Sequence, residues 1–257
     1  MITLYKKELN VFFSTIIGPL IIGLFLLITS LLLWTFFYDI NYINIVGEPP
    51  SNPFSILENS YASLDPFFII SPIIFLLFIP AVSMRTFSEE YNTGTIETLR
   101  TKPIAAHHIV LGKFLAILTL VVLSLLPTLL YVITIYFIGE TTGNLDLAGI
   151  AGSYIGLFML SSIFASIGVF ASSLSNNQII TFILGIIIST IFYFGFDLLS
   201  NIPILQPIDF ILQKIGISYH YNIMSKGLLL ISDIVYFISI SFLFLKFSEL
   251  VILNRKN

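Results

Sequence analysis

Six apolar runs, each near or above the length that crosses a lipid bilayer, occupy most of this chain. They lie at Phe12–Tyr38, Pro66–Val82, Ile109–Ile138, Ala148–Ala171, Ile179–Leu199 and Leu228–Phe247. A helix spans a hydrocarbon core with about 20 residues, so each run matches one span, and the long first and third must tilt or project beyond the core. The expected fold class is an all-α integral membrane protein with six transmembrane helices, a single transmembrane domain over residues 1–257. The first run is too long for a signal peptide and lacks a small-residue cleavage site, so it is read as a retained span. Pro66, Pro72 and Pro80 fall in the second run; membranes tolerate them where neighbours satisfy the freed carbonyls.

Hydrophobic residues make up 57% of the chain and charged ones 10%, with a mean hydropathy of +1.01, which lies outside the range of soluble domains. The spans leave no length for a soluble catalytic domain. A net charge of −3 offers no surface for nucleic acid, and the absence of cysteine removes disulfides, thiolate nucleophiles and Cys-ligated metals. His107 and His108 lie on one side of the membrane and His220 on the other, so they form no metal set. No G-x-x-x-x-G-K-[ST] occurs, and Gly112-Lys113 is followed by Phe114. The chain is therefore expected to hold no catalytic, cofactor-binding or metal-ligating residues.

Lysine and arginine set the orientation. All eleven except Lys214 and Lys226 fall before the first span, in the second connection, at the start of the third span or at the end of the sixth. The connections Asp39–Asp65 and Gly139–Leu147 carry acids and no basic residue. Both termini and the second connection are thus expected in the cytoplasm. At the N-terminus Ile2, Tyr5, Leu9 and Phe12 recur at helical spacing opposite Lys6, Lys7 and Asn10. That pattern fits either an interfacial helix or the snorkelling end of the first span.

The second connection, MRTFSEEYNTGTIETLRTKPIAAHHIVLGK, concentrates charge around one glycine. The second span is expected to continue as a helix past Glu89 and Glu90 until Asn92 and Gly94 break it. Thr95 can cap a new short helix, Ile96–Lys102, with Glu97 at its positive end, Arg100 and Lys102 at its negative end, and Pro103 as the stop. Ile96 and Leu99 share a face. Such an element suits docking into a partner; the plainer alternative is a solvated turn, although turns between adjacent helices are usually much shorter.

With "KEL" and "FF" near the start, "IVLGKF" after the loop and "DIVYF" in the last span, the sequence resembles the ABC-2 type permeases of ATP-binding-cassette transporters. The nearest likeness is to the gliding-motility-associated permease subunits. The resemblance implies that Glu89, Glu90, Gly94, Thr95, Ile96, Glu97, Leu99, Arg100 and Pro103 belong to a cytoplasmic coupling helix seated in a cleft of an ABC ATPase subunit. It further implies a second permease subunit, identical or related, in the inner membrane, with ATP and Mg bound by the ATPase and none by this chain. Export is the implied direction.

Further features carry two readings each. Ile204, Ile208, Ile211 and Ile215 share a helical face opposite Asp209 and Gln213, fitting an amphipathic outer segment or a partly ordered loop; the resemblance implies a re-entrant helix pair. Gly152, Gly156, Ser162, Ala165 and Ser166 fit close helix packing or a polar path. Asp197 and Asp233, near the outer ends of spans five and six, fit interfacial capping or a functional role. Gly18–Leu33 and Gly185 are candidate contacts with a second subunit. Rival functions are an ion-driven secondary transporter, disfavoured because no internal repeat is visible, and a membrane scaffold.

Overall fold

The computed structural model describes residues 2–46, 64–96, 105–138 and 146–255, and every regular element among them is helical. In chain order these are α1 (Ile2–Ser14), α2 (Ile17–Val46), α3 (Asp65–Ser83), α4 (Arg85–Asn92), α5 (Ala106–Leu125), α6 (Leu129–Ile138), α7 (Leu147–Leu174), α8 (Gln178–Thr190), α9 (Phe196–Ser200), α10 (Asp209–Ile215), α11 (Ile217–Met224) and α12 (Ile231–Asn254). Five stretches are long and apolar enough to cross a membrane: Phe67–Asn92, Ala106–Phe137, Leu147–Leu174, Gln178–Ser200 and Ile231–Asn254. A sixth is the pair Ile2–Ser14 and Gly18–Leu33, bent by 70°. The molecule is an all-α, multi-pass membrane protein.

That bend divides what the hydropathy joins. The first span starts at Ile17, and Phe12 belongs to the separate helix α1, where it is buried. At the corner the Ser14 and Thr15 hydroxyls donate to the Val11 carbonyl at 3.1 Å, supplying donors to a helix end that lacks them. Gly18 lets the chain turn so tightly, since a Cβ there would lie 2.4 Å from the Phe12 carbonyl oxygen. The buried face of α1 also differs from the expected one: it is Leu4, Glu8 and Phe12, while Ile2 is exposed.

The second span runs on as anticipated, α3 passing through Met84 into α4 and stopping at Asn92. Its proline has a partner. Pro72 cannot donate to the Phe68 carbonyl four residues back, and the Tyr221 hydroxyl donates to that carbonyl instead, at 2.6 Å. Two interruptions lie inside spans read as continuous: a 3-10 turn at Leu126–Thr128 containing Pro127, and a π-turn at Ile191–Gly195.

α7 forms the centre. Its glycines are packing contacts: a Cβ on Gly152 would lie 2.5 Å from the Gly227 carbonyl oxygen, and one on Gly156 2.7 Å from Met224 Cβ. Its serines bond to backbone or to α12, as Ser166 does to Ile163 O at 2.7 Å and Ser162 to Ser241 at 3.1 Å. These contacts favour close packing over a polar path. Gly185 likewise faces Pro80 and Ala171 of its own chain, so it offers nothing to a second subunit.

The connection after the fifth span holds a 3-10 turn, Pro203–Ile208, then α10 and α11. Ile204, Ile208, Ile211 and Ile215 are all exposed, an apolar face that no other described residue covers. Asp197 is exposed at the end of the fifth span, whereas Asp233, expected where water reaches it, is buried. α12 starts at Ile231, three residues after the hydropathy boundary, because the chain first turns at Gly227 (φ +79°).

Candidate partner-docking site

One end of the bundle gathers α1, α4, the start of α5, the end of α7 and the end of α12, and with them most of the basic residues described. α4 is anchored at its beginning by Ser172 of α7, whose hydroxyl accepts from the Phe87 and Ser88 amides (2.9 and 3.2 Å) and donates to the Met84 carbonyl (3.1 Å). One side chain thus satisfies two orphan donors where α3 passes into α4.

The interior of this end is ionic. Lys113 is 1% exposed, yet its ammonium lies 2.9 Å from Glu8 Oε1 and 3.0 Å from Glu90 Oε2, and it donates to the Thr86 carbonyl. Lys7 reaches Glu90 Oε1 at 3.0 Å. Two cations and two carboxylates from three helices therefore neutralise one another, which a buried charge requires. Partial burial pulls the Lys7 ammonium down, but its hydrogen bond to Glu90 and the charges of Glu90 and Glu8 more than offset this, so its pKa is raised. Gly112 lets α1 lie close to α5, with Leu4 Cδ2 3.0 Å from where its Cβ would be.

α4 ends in a hydroxyl-bonded turn. The Thr93 amide and hydroxyl both donate to the Glu89 carbonyl at 2.9 Å, and Thr93 and Thr95 hydroxyls pair at 3.0 Å. Gly94 has φ +70°, with no described residue within 4 Å of where its Cβ would be, a left-handed backbone that only glycine adopts at low cost. Helical geometry resumes at Thr95 and Ile96. A cleft of about 180 Å³ opens between α1 and α4, lined by Phe12, Arg85, Glu89, Thr93 and Thr95 among others. Arg85 Nε is buried there without a hydrogen-bond partner among the described residues.

The residues expected to dock a partner divide. Glu89, Gly94 and Thr95 remain at the surface or half-buried beside the cleft. Glu90 does not: its carboxylate is committed to Lys7 and Lys113. Ile96 is also turned inward at 7% exposure, so it anchors the turn to the chain instead of projecting from it. Glu97, Leu99, Arg100 and Pro103 lie outside the described residues. Sequence reasoning missed Lys113 and Glu8. The available signal was a lysine embedded in the apolar run IVLGKF, and an acid spaced four residues from both Leu4 and Phe12. Arg255 was counted only as charge; it stacks on the Tyr91 ring at 4.1 Å and donates to the Ser173 carbonyl at 2.9 Å, tying the end of α12 to α4 and α7.

With this geometry in place, the family model described as ABC-2 family transporter protein matches residues 20–215. The chain belongs to the ABC-2 transporter family. Its members are membrane subunits of transporters, which agrees with the multi-pass helical architecture. The matched stretch includes α4, Gly94 and Lys113, whereas α1, Glu8 included, precedes it. No curated protein matches the chain.

Proposed function

We propose that this ABC-2 protein is the permease subunit of an ABC exporter, driven by ATP hydrolysed on a separate ATPase that docks at the end formed by α1, α4 and the Gly94 turn. The observation that carries this reading is the ion-paired mounting of α4. A helix continuous with the second span, held to α1 and α5 by Glu8, Glu90, Lys7 and Lys113, can pass a push at the Gly94 turn into the bundle without bending. The half-buried Glu89 and the exposed Thr93 and Thr95, which line one cleft, offer polar contacts for a partner.

In this reading the docking end is cytoplasmic, both termini lie there, and the membrane is the inner membrane, in keeping with the basic residues gathered at this end. Nucleotide and Mg belong to the ATPase, since this chain carries no phosphate-binding motif. Two permease subunits form the working unit, and gliding motility or secretion is the process served. Purification of the tagged full chain from native membranes tests the central claim: a polypeptide carrying G-x-x-x-x-G-K-[ST] should accompany it. Leu99→Asp should lower that recovery at least about tenfold, because a carboxylate in an apolar interface is left without a partner. Recovery of the chain with no nucleotide-binding polypeptide overturns the proposal.

A further inference from the structure

At the end opposite the ion-paired mounting, the fifth span closes with α9 and the last begins at Ile231. A pocket of about 300 Å³ opens there, lined by α9, α10, α11 and the turn that follows α11. Both spans end at this level, so the pocket lies where a bilayer places its headgroups. Its polar lining divides by chemistry. Asp197 supplies a carboxylate, and Gln213 an amide carbonyl, because its Nε2 is committed to Asp209 Oδ1 at 2.6 Å. Lys226 supplies an ammonium, and Ser218, Tyr219 and Asn222 supply hydroxyl and amide donors.

These groups are not spent on one another. Asp197 and Lys226 form no side-chain ion pair among the described residues, and the Ser218 hydroxyl, on a residue 8% exposed, makes no hydrogen bond among them. The wall that carries them is fixed in advance, which lowers the cost of binding. His220 of α11 lies 2.8 Å from Asp233 of α12 and 2.9 Å from the Lys214 carbonyl oxygen of α10, and its ring stacks on Tyr236 at 4.0 Å. The pocket also has an apolar side. Leu228 lines it and is 60% exposed, and Leu229, Leu230 and Ile231 after it are exposed as well.

We infer that this pocket binds the headgroup of an aminophospholipid, with the phosphate at Lys226 and its neighbouring donors and the primary ammonium at Asp197 and the Gln213 carbonyl. Charge-assisted hydrogen bonds then form at both ends of one zwitterion, and the acyl chains meet the exposed leucines. A trimethylammonium has no N–H for the two acceptors, and a glycerol headgroup brings no cation to Asp197. The volume stands at the low end of the about 300–1,000 Å³ of small-ligand sites, which suits a headgroup and not a whole lipid. The site does not depend on what energises transport.

The chain has no cysteine, so one thiol can report occupancy. Ile223→Cys places it in the pocket wall, and Gln206→Cys, at an exposed position outside the pocket, corrects for intrinsic reactivity. The probe is maleimide labelling of the full chain in nanodiscs. Corrected labelling at position 223 should slow at least about fivefold when phosphatidylethanolamine replaces about half of a phosphatidylcholine bilayer, as for a ligand at about four times its Kd. Phosphatidylglycerol at the same fraction should protect less. Asp197→Asn should abolish the preference for ethanolamine over choline, and Asp197→Lys should turn it towards phosphatidylglycerol, which a merely structural aspartate would not do. Equal labelling in choline and ethanolamine bilayers, or an unchanged ethanolamine preference in Asp197→Asn, overturns the site. Protection by soluble phosphoethanolamine in choline bilayers, with none from the lipid, overturns the membrane as its source.

Discussion

Lys113 is stable in the interior because its ammonium donates to Glu8 Oε1 and to the Thr86 carbonyl and is ion-paired with Glu90 Oε2 at 3.0 Å. Lys113→Ala should therefore destabilise the purified chain by about 3–5 kcal/mol, since Glu8 and Glu90 are left charged and buried. The triple variant Glu8→Gln, Lys113→Met, Glu90→Gln should recover most of that loss, because a neutral set of similar volume has no charge to desolvate. Thermal unfolding followed by intrinsic fluorescence reads both, and a single variant within about 1 kcal/mol of the parent denies the cluster a stabilising role. At this scale the sequence was partly legible. The positive φ of Gly94 follows from its place after Asn92, a local matter of helix termination. The pairing of Glu8 with Lys113, 105 residues apart, is set by how three helices cross, and no local pattern announces it.

Among elements, continuity of the second span into α4 was legible because helix-compatible residues run unbroken to the Asn92–Gly94 stop. The 70° corner between α1 and α2 was not, since the apolar run continues through it and hydropathy is blind to direction. Nor was the π-turn at Ile191–Gly195, which occurs in an apolar stretch with no proline to mark it. Pro72 marks a different case, in which a visible residue creates a need that a distant one fills. Tyr221→Phe removes the donor to the Phe68 carbonyl and should destabilise by about 1–3 kcal/mol. Pro72→Ala restores a backbone N–H four residues after Phe68, so the same tyrosine change should be milder in that background. A double-mutant cycle on thermal stability measures the difference. Additive losses would mean that the carbonyl finds no donor in the repaired helix and that Tyr221 acts through packing.

For the whole molecule, α2 presents the face best suited to a second permease subunit. Leu20, Leu24, Leu27 and Leu31 recur at helical spacing and are all exposed, while Phe25 and Thr29 point inward at 1% and 2%. Gly23, with no described residue within 4 Å of its absent Cβ, lies open between them, and small residues let helices approach closely in lipid. Gly185, the other candidate from the sequence, is already covered by Pro80 and Ala171, so α2 is the face on which the proposed second subunit is to be tested. Closed two-fold homodimers are the commonest assembly and bring the same face of both copies together. Single cysteines at positions 20, 24, 27 and 31 should therefore form disulfide-linked dimers in native membranes, and those at 25 and 29 should not. Gly23→Leu should lower the yield at positions 20 and 27 at least about fivefold by holding the helices apart. Equal yields at inward and outward positions, or none on the leucine face with the ATPase still bound, would show that the second permease is a different chain or meets this one through another face.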